Sequence, residues 1–295
     1  MSDTGRSPVV ERIGARRVVA SVSGGKDSAA MSLWLKEQGI DHDRVFCDTG
    51  WEHPATYDYL RGELTRVLGP IEEINGPLGF ADLARSKAMF PSRVMRFCTQ
   101  ELKVRPMQRY LSARADAGAD VLNAVGIRRA ESPARAQMAE WEWADGFDCE
   151  VWRPLVEWTE ADVIAIHRRH GLRPNPLYLL GARRVGCWPC IHASKGEIAL
   201  VAKIDPRRVE EIAALERELD AAATARAAEK GEALRHRRTM FSIGGGGRGH
   251  RALPIHDAVK WARGPDQREL FAGINDGCMR WGMCDSPTDA DPVRS

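Results

Sequence analysis

The chain has 295 residues, enough for one large domain or for a large and a smaller one, and its composition is typical of soluble globular proteins. Its formal net charge of +2 indicates no particular class of partner. No apolar stretch approaches the roughly 18 residues of a membrane-spanning helix, and the polar segment 1–17 lacks the apolar core of a signal peptide, so we expect a cytoplasmic protein without a membrane partner.

The first predicted strand leads into a short glycine-rich loop and then a helix. The apolar run 17–22 precedes Ser23-Gly24-Gly25-Lys26-Asp27-Ser28, and the apolar segment 29–38 follows it. Two glycines allow a sharp turn close to a ligand, and amides at a helix N-terminus bind anions. We therefore expect a nucleotide phosphate site that comprises Ser21, Ser23, Gly24, Gly25, Lys26, Asp27 and Ser28.

Two charged residues of this loop have distinct expected roles. Lys26 supplies a point charge for phosphate oxygens, and Asp27 can hold Mg²⁺, which prefers carboxylate and phosphate oxygens. The spacing is not that of a Walker loop, which has four residues between its glycines. The loop resembles the PP-loop of the ATP pyrophosphatases, which cleave ATP between the α- and β-phosphates and adenylylate an oxygen. The alternative is a glycine turn with a solvated Lys-Asp pair.

Strands and helices alternate after this loop. Strands are predicted at 44–48, 71–74 and 121–125, and helices at 54–68, 80–89 and 104–115. The alternation predicts an α/β fold with a doubly wound, mainly parallel sheet. Ligands bind such sheets beyond the carboxyl ends of the strands, where we expect the glycine-rich loop, Asp48, Gly126 and Arg128. Arg129 and Arg135 are further candidates for phosphates or an acidic substrate.

Cys98 precedes the predicted helix 104–115, next to Arg96. A thiolate there would be stabilised by the helix N-terminus and by the arginine. The residue is a catalytic candidate as a persulfide carrier, with a metal ligand and a buried thiol as alternatives. Cys47 and Cys149 fall in probable strands and are predicted core residues.

The composition changes near residue 180, which predicts a nucleotide-binding domain over 1–180 and a helical, cysteine-bearing region over 181–295. Thr159 caps a predicted helix through Arg169, with Asp162 near the capping-box position and Gly171 closing the helix. A long helix is predicted from Pro206 to about Lys230, with one apolar stripe.

Four cysteines form two closely spaced pairs, Cys187 with Cys190 and Cys278 with Cys284. Each pair can bring two thiolates to one ion or cluster, and four sulfurs suit Zn²⁺ and an iron–sulfur cluster about equally. A redox dithiol at 187–190 and four unligated cysteines are the other interpretations.

The last third of the chain is locally basic around a glycine run, 244–247. A flexible basic loop suits contact with a nucleic-acid backbone, and the alternative is a solvated surface whose charge nearby acids offset. The basic residues are Arg235, Arg237, Arg238, Arg248, His250, Arg251, Lys260, Arg263 and Arg268.

Several stretches together resemble the phosphoadenosine phosphosulfate (PAPS) reductase-like family of the PP-loop superfamily. They occur in family order between residues 17 and 195, at 23–28, 47–52, 98–106, 126–132, 174–178 and 184–190. The resemblance implies an adenine nucleotide alpha hydrolase-like fold. PAPS and adenylyl-sulfate reductases, as a family, lack the Gly-Lys-Asp loop sequence and carry a catalytic cysteine in a C-terminal Glu-Cys-Gly-x-His motif. This sequence has Lys26-Asp27 and not that motif, which favours ATP as the nucleotide.

The intact loop is also similar to that of the small subunit of ATP sulfurylase, which has no four-cysteine site. Intact loops with iron–sulfur clusters occur in tRNA thiolases and in the sulfur-inserting enzymes of DNA phosphorothioation. This sequence resembles the latter more, through its Cys-Thr-x-x-Leu-Lys stretch and its clustered C-terminal cysteines. The resemblance thus implies ATP-dependent sulfur transfer to nucleic acid, DNA rather than tRNA, with Mg²⁺ and a cysteine desulfurase or other sulfur donor. It implies a [4Fe–4S] cluster on the paired cysteines, with zinc as the alternative, and a catalytic set of Lys26, Asp27 and Cys98.

Two other functions stay open. One is a sulfonucleotide reductase or sulfurylase-like enzyme of sulfate assimilation. The other is a nucleotide-binding regulatory or partner subunit with little chemistry of its own. The sequence carries no signal for an oligomeric state.

Overall fold

The computed structural model of the protein describes residues 8–234, 236–243, 251–264 and 281. The chain divides into two compact units. The first contains the residues up to 87, 91–173 and 186–188, and the second contains 88–90, 174–185 and the residues from 189 on. The predicted domain boundary at residue 180 falls inside a segment of the second unit.

A mainly parallel sheet forms the centre of the first unit. Within the described residues it has six strands in the order β3-β2-β1-β4-β6-β5, and only β5 runs antiparallel to its neighbour. The α/β fold class is therefore confirmed. The strands are β1 Arg17–Ser21, β2 His42–Asp48, β3 Glu72–Asn75, β4 Val121–Ala124, β5 Trp141–Ala144 and β6 Cys149–Trp152.

Helices connect the parallel strands, as the predicted alternation requires. Two of the observed helices contain a π-helical turn, Leu60–Leu64 between α3 and α4 and Gln100–Val104 between α6 and α7. The helices of the first unit are α1 Pro8–Ile13, α2 Lys26–Glu37, α3 Pro54–Tyr59, α4 Thr65–Leu68, α5 Phe80–Lys87, α6 Phe97–Thr99, α7 Arg105–Asp116, α8 Pro133–Ala136 and α9 Glu160–Arg169.

The core lies between the sheet and these helices. Strand β1 is buried at Val18, Val19 and Ala20, because a central parallel strand is covered on both faces. Helix α2 buries most of its side chains, so its sequence shows little amphipathic periodicity. Cys149 is buried in the core, as predicted, and Cys47 packs partly buried against the same cluster. Burial raises the pKa of Cys47 to about 11, which makes it a poor nucleophile.

The helix that contains α7 begins earlier than predicted. Its first turn starts at Phe97, so Cys98 lies within this turn and not before the helix. The π turn at Gln100–Val104 joins this turn to α7, so the helix continues without a break to Asp116. Pro106 lies near the start of α7, where the periodic pattern suggested a beginning, but a proline in the first turn after a π segment does not end the helix.

In its described residues, the second unit is helical apart from one short hairpin. It contains α10 Pro176–Leu179, α11 Lys195–Ile204, α12 Pro206–Ala228, β7 Phe241–Ile243, β8 Arg251–Leu253 and α13 Ile255–Ala262. The apolar stripe of α12 is buried, and Asp205 caps its N-terminus. Buried Glu216 accepts hydrogen bonds from the backbone amides of Met240 and Ile255 and so anchors the hairpin and α13 to α12. Among the described residues, none of the helices is both long and apolar enough to cross a membrane.

Candidate functional site

In doubly wound sheets, ligands bind at the carboxyl ends of the strands where the strand order reverses, which in this sheet are the ends of β1 and β4. From β1 the chain builds one half of the sheet through β2 and β3, and from β4 it builds the other half. Neighbouring connections therefore leave these two strands in opposite directions, which is the arrangement that leaves a crevice between strands in folds of this kind. The glycine-rich loop after β1 and the turn after β4 both lie at this edge.

The loop between β1 and α2, residues 22–25, which we call the phosphate loop, has a backbone that only glycine fits at one position. Gly24 has φ +72, and a Cβ there would lie 3.0 Å from Cγ2 of Thr56 and 3.3 Å from Cγ of Leu60. The hydroxyl of Ser28 accepts from the Ser23 amide at 3.1 Å and donates to the Gly25 carbonyl at 3.0 Å. These contacts hold the loop in a tight turn at the N-terminus of α2, the arrangement that binds anions.

Lys26 and Asp27, the first residues of α2, belong to a compact group of charges. The Lys26 ammonium is nearly buried and lies 3.5 Å from Asp27 Oδ2 and 3.4 Å from Glu160 Oε1. Arg128, which is buried, donates through Nε to Asp27 Oδ1 at 2.5 Å. Two cations and two carboxylates are therefore balanced here, and a phosphate or sulfate group could replace a carboxylate as the partner of either cation.

Gly126, after β4, packs directly on the first turn of α2. A Cβ at this position would lie 2.9 Å from the carbonyl oxygen of Asp27 and 3.0 Å from the Cα of Ser28. These are backbone atoms that cannot turn away as the end of a flexible side chain can. The residue is required because two backbone segments touch, and this contact places Arg128, two residues later, on Asp27.

The sequence did not identify two residues of α9 that hold Lys26. Glu160, the first residue of α9, pairs with the ammonium, and His167 Nε2 lies 2.9 Å from the Lys26 carbonyl oxygen. Their distance from the loop in sequence exceeds 130 residues, so no local pattern pointed to them. The predicted capping box of Thr159 and Asp162 is present and sets where α9 begins.

Buried histidines give the first unit a defined pH dependence. Burial lowers the pKa of His42 and of His167 below the ordinary value of 6.5. The unfolded chain therefore takes up protons at a higher pH than the folded chain does. We expect the free energy of unfolding to fall as the pH drops below about 6.5, by up to about 1.4 kcal/mol per pH unit for each histidine.

Urea unfolding at pH 7.5, 6.5 and 5.5 measures this effect. His167→Gln keeps a side-chain N–H for the Lys26 carbonyl and removes one titrating group, so its unfolding free energy should depend less steeply on pH. A pH dependence equal to that of the unmodified protein would show that His167 does not change its protonation on unfolding.

A second polar cluster follows β2 at the same edge. The Tyr57 hydroxyl lies 2.6 Å from Asp48 Oδ1 and 3.1 Å from Glu52 Oε2, and Asp48 also accepts from the Gly50 amide at 2.8 Å. Glu52 is buried, and it accepts from the hydroxyl of Thr49 at 2.7 Å. Burial and these carboxylates raise the pKa of Tyr57, so its hydroxyl stays protonated.

Cys187 comes to this second cluster from far along the chain. It forms an isolated bridge with Glu52, and its Sγ lies 3.6 Å from the Thr49 hydroxyl. The next residue, Trp188, donates its amide to the Trp51 carbonyl at 2.8 Å. A predicted metal ligand, Cys187, thus lies beside the cluster that contains Asp48, a predicted nucleotide-binding residue. Helix α3 connects this cluster to the phosphate loop, because Thr56 packs against the loop at Gly24 and its neighbour Tyr57 contacts Asp48.

The other predicted site residues have separate surroundings. Cys98 is half-buried in the first turn of its helix, and its catalytic role remains a prediction. Arg129 donates to the Met138 carbonyl and pairs with Glu157, and Arg135 pairs with Glu131. Those two arginines therefore have partners in their own part of the chain.

The predicted four-cysteine site is described only in part. Cys187 and Cys190 form no disulfide among the described residues, and Cys278 and Cys284 lie outside the described residues. Over the ranges that the structure describes, no three His, Cys, Asp or Glu side chains are grouped so that they could hold a metal ion.

The basic C-terminal residues are likewise described in part. Arg237 pairs with Asp220 at 3.1 Å, and Arg251 is exposed on β8. Four of the nine predicted basic residues and the glycine run lie outside the described residues: Arg235, Arg248, His250, Arg268 and 244–247.

Comparison with known proteins gives one family and several relatives. A family model described as phosphoadenosine phosphosulfate reductase domain matches residues 17–193. An uncharacterized 37.8 kDa protein of Escherichia phage 186 is 36% identical over 248 residues, which are 68% of this chain and 74% of the phage protein. The adenosine 5'-phosphosulfate reductase of Deinococcus radiodurans is 32% identical over 54% of this chain and 60% of its own length, less than two thirds.

Among solved structures, phosphoadenylyl-sulfate reductase from Candida auris is similar, with a TM-score of 0.47 and 20% identity. The match covers 61% of this chain and 85% of the reductase.

Proposed function

Because the chain belongs to the phosphoadenosine phosphosulfate reductase domain family, we propose that it binds an adenine nucleotide at the phosphate loop and uses it in sulfur chemistry. The observation that carries this proposal is the group formed by Lys26, Asp27 and Arg128 at the N-terminus of α2. Two nearly buried cations lie next to the phosphate loop at the carboxyl end of β1. This arrangement suits the phosphate or sulfate groups of a nucleotide.

The first candidate reaction is cleavage of ATP between the α- and β-phosphates. An oxygen of the acceptor attacks the α-phosphorus, the bond to the β-phosphate oxygen breaks, and pyrophosphate leaves with the electron pair. Lys26 and the loop amides stabilise the departing charge, and Asp27 is the carboxylate available for Mg²⁺. Sulfide-level sulfur supplied by the donor then attacks the adenylylated atom of the acceptor with its own electron pair, and AMP leaves with the oxygen and the electron pair of the broken bond.

The position of Cys187 supports the link to sulfur. Its thiol lies 3.6 Å from the Thr49 hydroxyl, beside the Asp48 cluster at the carboxyl edge of the sheet. A sulfur atom at the edge where the nucleotide would bind is compatible with sulfur transfer and with reduction of a sulfonucleotide. In the first candidate reaction, the acceptor is a nucleic acid, DNA rather than tRNA, and the partner is a cysteine desulfurase or another sulfur donor.

The second candidate is reduction of adenosine 5'-phosphosulfate or its 3'-phosphorylated form, and the relatives favour it over the first. The family takes its name from this activity, and the Deinococcus relative is named for it. In this reaction Lys26 and Arg128 would hold the sulfate or phosphate group of the nucleotide. Against it stands the Lys26-Asp27 sequence of the loop, on which the ATP proposal depends.

One experiment separates these candidates. Purified protein is incubated with ATP and Mg²⁺, with and without DNA or tRNA, and pyrophosphate is measured. In parallel it is incubated with each sulfonucleotide and reduced thioredoxin, and sulfite is measured. Pyrophosphate release stimulated by nucleic acid supports the first candidate, and sulfite release supports the second. Nucleotide binding without either product would indicate a binding subunit.

The paired cysteines would hold a metal centre in either reaction. Cys187, Cys190, Cys278 and Cys284 supply only sulfur, which suits a [4Fe–4S] cluster, with zinc as the alternative. The described residues contribute two of these thiols, and sulfur donors fit an iron–sulfur cluster or a zinc ion. The set of four ligands remains a prediction.

Metal analysis tests this site without an activity assay. We expect protein purified anaerobically to contain iron and inorganic sulfide, and Cys187→Ser to lose most of both. Ser32→Ala changes a buried residue elsewhere and should keep them. Stoichiometric zinc without iron would replace the cluster by a zinc site, and four free thiols in the native protein would exclude both.

A further inference from the structure

Residues 92–96 stand at the edge of the sheet that the carboxyl ends of its parallel strands form. Gly76 follows β3, and a Cβ on it would lie 3.0 Å from the Glu101 carbonyl oxygen. Near the end of β2, the Cys47 thiol donates to the Lys103 carbonyl at 3.7 Å. Residues 101–103 are thus level with the strand ends. The helix runs from here towards the start of β4, so Phe97 and the residues before it project beyond that edge.

Residues 92–96, which we call the arm, hold two apolar side chains in solvent. The Val94 side chain is 93% exposed and Met95 is 52% exposed. A closed turn fixes this arrangement, because the Ser92 amide donates to the Met95 carbonyl and the Met95 amide donates to the Ser92 hydroxyl, both at 3.0 Å. Ordered apolar side chains at the surface mark a contact site more often than single scattered ones do.

The arm also lies in a basic stretch of the sequence, which follows Asp82 and its ion pair with Arg85. Between residues 83 and 110 there are seven lysines and arginines and one acidic residue, Glu101, although the whole chain is nearly balanced with 43 basic and 41 acidic residues. Arg105 pairs with Glu101 at 2.7 Å. Arg93 and Arg96 are exposed, and no carboxylate among the described residues pairs with either of them.

We propose that the arm binds a single-stranded segment of nucleic acid and presents it to the nucleotide site. The guanidinium groups of Arg93 and Arg96 would bind phosphates, and Val94 and Met95 would lie against the faces of unstacked bases. A duplex hides its base faces, so the apolar pair favours a single strand. This inference rests on the nucleic-acid acceptor proposed above and adds the surface and the strand form that it uses.

Fluorescence anisotropy with a labelled single-stranded 20-nucleotide DNA, in the absence of any nucleotide, tests the arm directly. The double variant R93Q/R96Q should bind about tenfold more weakly at 0.1 M salt, as expected for two lost phosphate contacts. The slope of log affinity against log salt should become shallower by about 1.4, because each phosphate contact releases about 0.7 counterion from a single strand. V94S/M95S should weaken binding with little change in this slope.

The matched control is K36Q/R66Q, which removes the same charge. Lys36 and Arg66 are exposed in the last turns of α2 and α4, at the opposite edge of the same sheet. The control should bind like the unmodified protein. Equal weakening in the control, or unchanged binding by R93Q/R96Q, would overturn the proposal, as would tighter binding of duplex than of single strand. A loss confined to thioredoxin-driven sulfite release would assign the arm to a protein partner.

Failure of the arm and failure of the proposed function remain distinguishable. Anisotropy needs no ATP, and pyrophosphate release is measured independently. If the arm variants lose DNA binding while the protein releases no pyrophosphate, the role of the arm is supported and the ATP reaction is rejected. If the arm variants bind DNA normally while the protein releases pyrophosphate, the ATP reaction is supported and the role of the arm is rejected.

Discussion

Replacing Lys26 with alanine is expected to reduce pyrophosphate release from ATP by a factor of about 100 or more. The ammonium belongs to the first residue of α2 and would stabilise the charge that develops on the departing pyrophosphate; removal of one such stabilising group typically costs this much. A 100-fold loss corresponds to about 2.7 kcal/mol of transition-state stabilisation.

Lys26 is nearly buried between Asp27 and Glu160. Its removal takes one cation away from both carboxylates, so the substitution can also lower the stability of the fold. Lys26→Gln is therefore measured beside Lys26→Ala, with the urea midpoint of each. Lys36→Ala, at the exposed far end of the same helix, is the control and should keep full activity. Unchanged pyrophosphate release by a folded Lys26 variant would remove this residue, and with it the loop, from the reaction.

Gly126→Ala is expected to destabilise the first unit by about 1–3 kcal/mol and to weaken nucleotide binding. The added methyl group would meet the Asp27 carbonyl at 2.9 Å, so either the turn after β4 or the first turn of α2 must move. Movement of either would displace Arg128 from Asp27 and alter the phosphate loop.

Urea unfolding and nucleotide titration measure the two effects separately. Gly146→Ala is the matched control, since no atom lies within 4 Å of a Cβ at that position, and its unfolding free energy should change by less than about 0.5 kcal/mol. Equal unfolding free energies of the two variants would mean that the turn after β4 or the first turn of α2 can move to accommodate the methyl group without loss of stability.

The two predictions address different properties of one site. Lys26 acts through its charge, so its variants should alter turnover more than folding. Gly126 acts through the space that it leaves, so its variant should alter folding and binding together. If both variants changed only stability, the loop would be a structural element of the sheet edge and the nucleotide site would have to be sought elsewhere.

The proposed sulfur chemistry would involve a different part of the molecule. Cys187 is already placed beside Thr49 and the Asp48 cluster in the first unit, whereas the role of Cys98 rests on its position in a helix's first turn. Metal content and sulfite release therefore give information that the nucleotide assays do not.

The sequence by itself determined the features that depend on local chemistry. The order of apolar strand, Ser23-Gly24-Gly25-Lys26-Asp27-Ser28 and helix was sufficient to predict the loop, because the φ of Gly24 and the exposed amides of a helix start are local properties. Alternation of strands and helices was sufficient for the α/β class, and Thr159 with Asp162 for the start of α9.

Only the tertiary structure decided what meets the loop. Glu160 and His167 reach Lys26 because α9 packs against α2, and Cys187 reaches Glu52 through an isolated bridge across 135 positions of the chain. The same is true of Gly126, whose missing side chain matters only because another backbone occupies that space. Such contacts depend on how distant elements pack, and a residue pattern records the preferences of each element but not the neighbours that packing gives it.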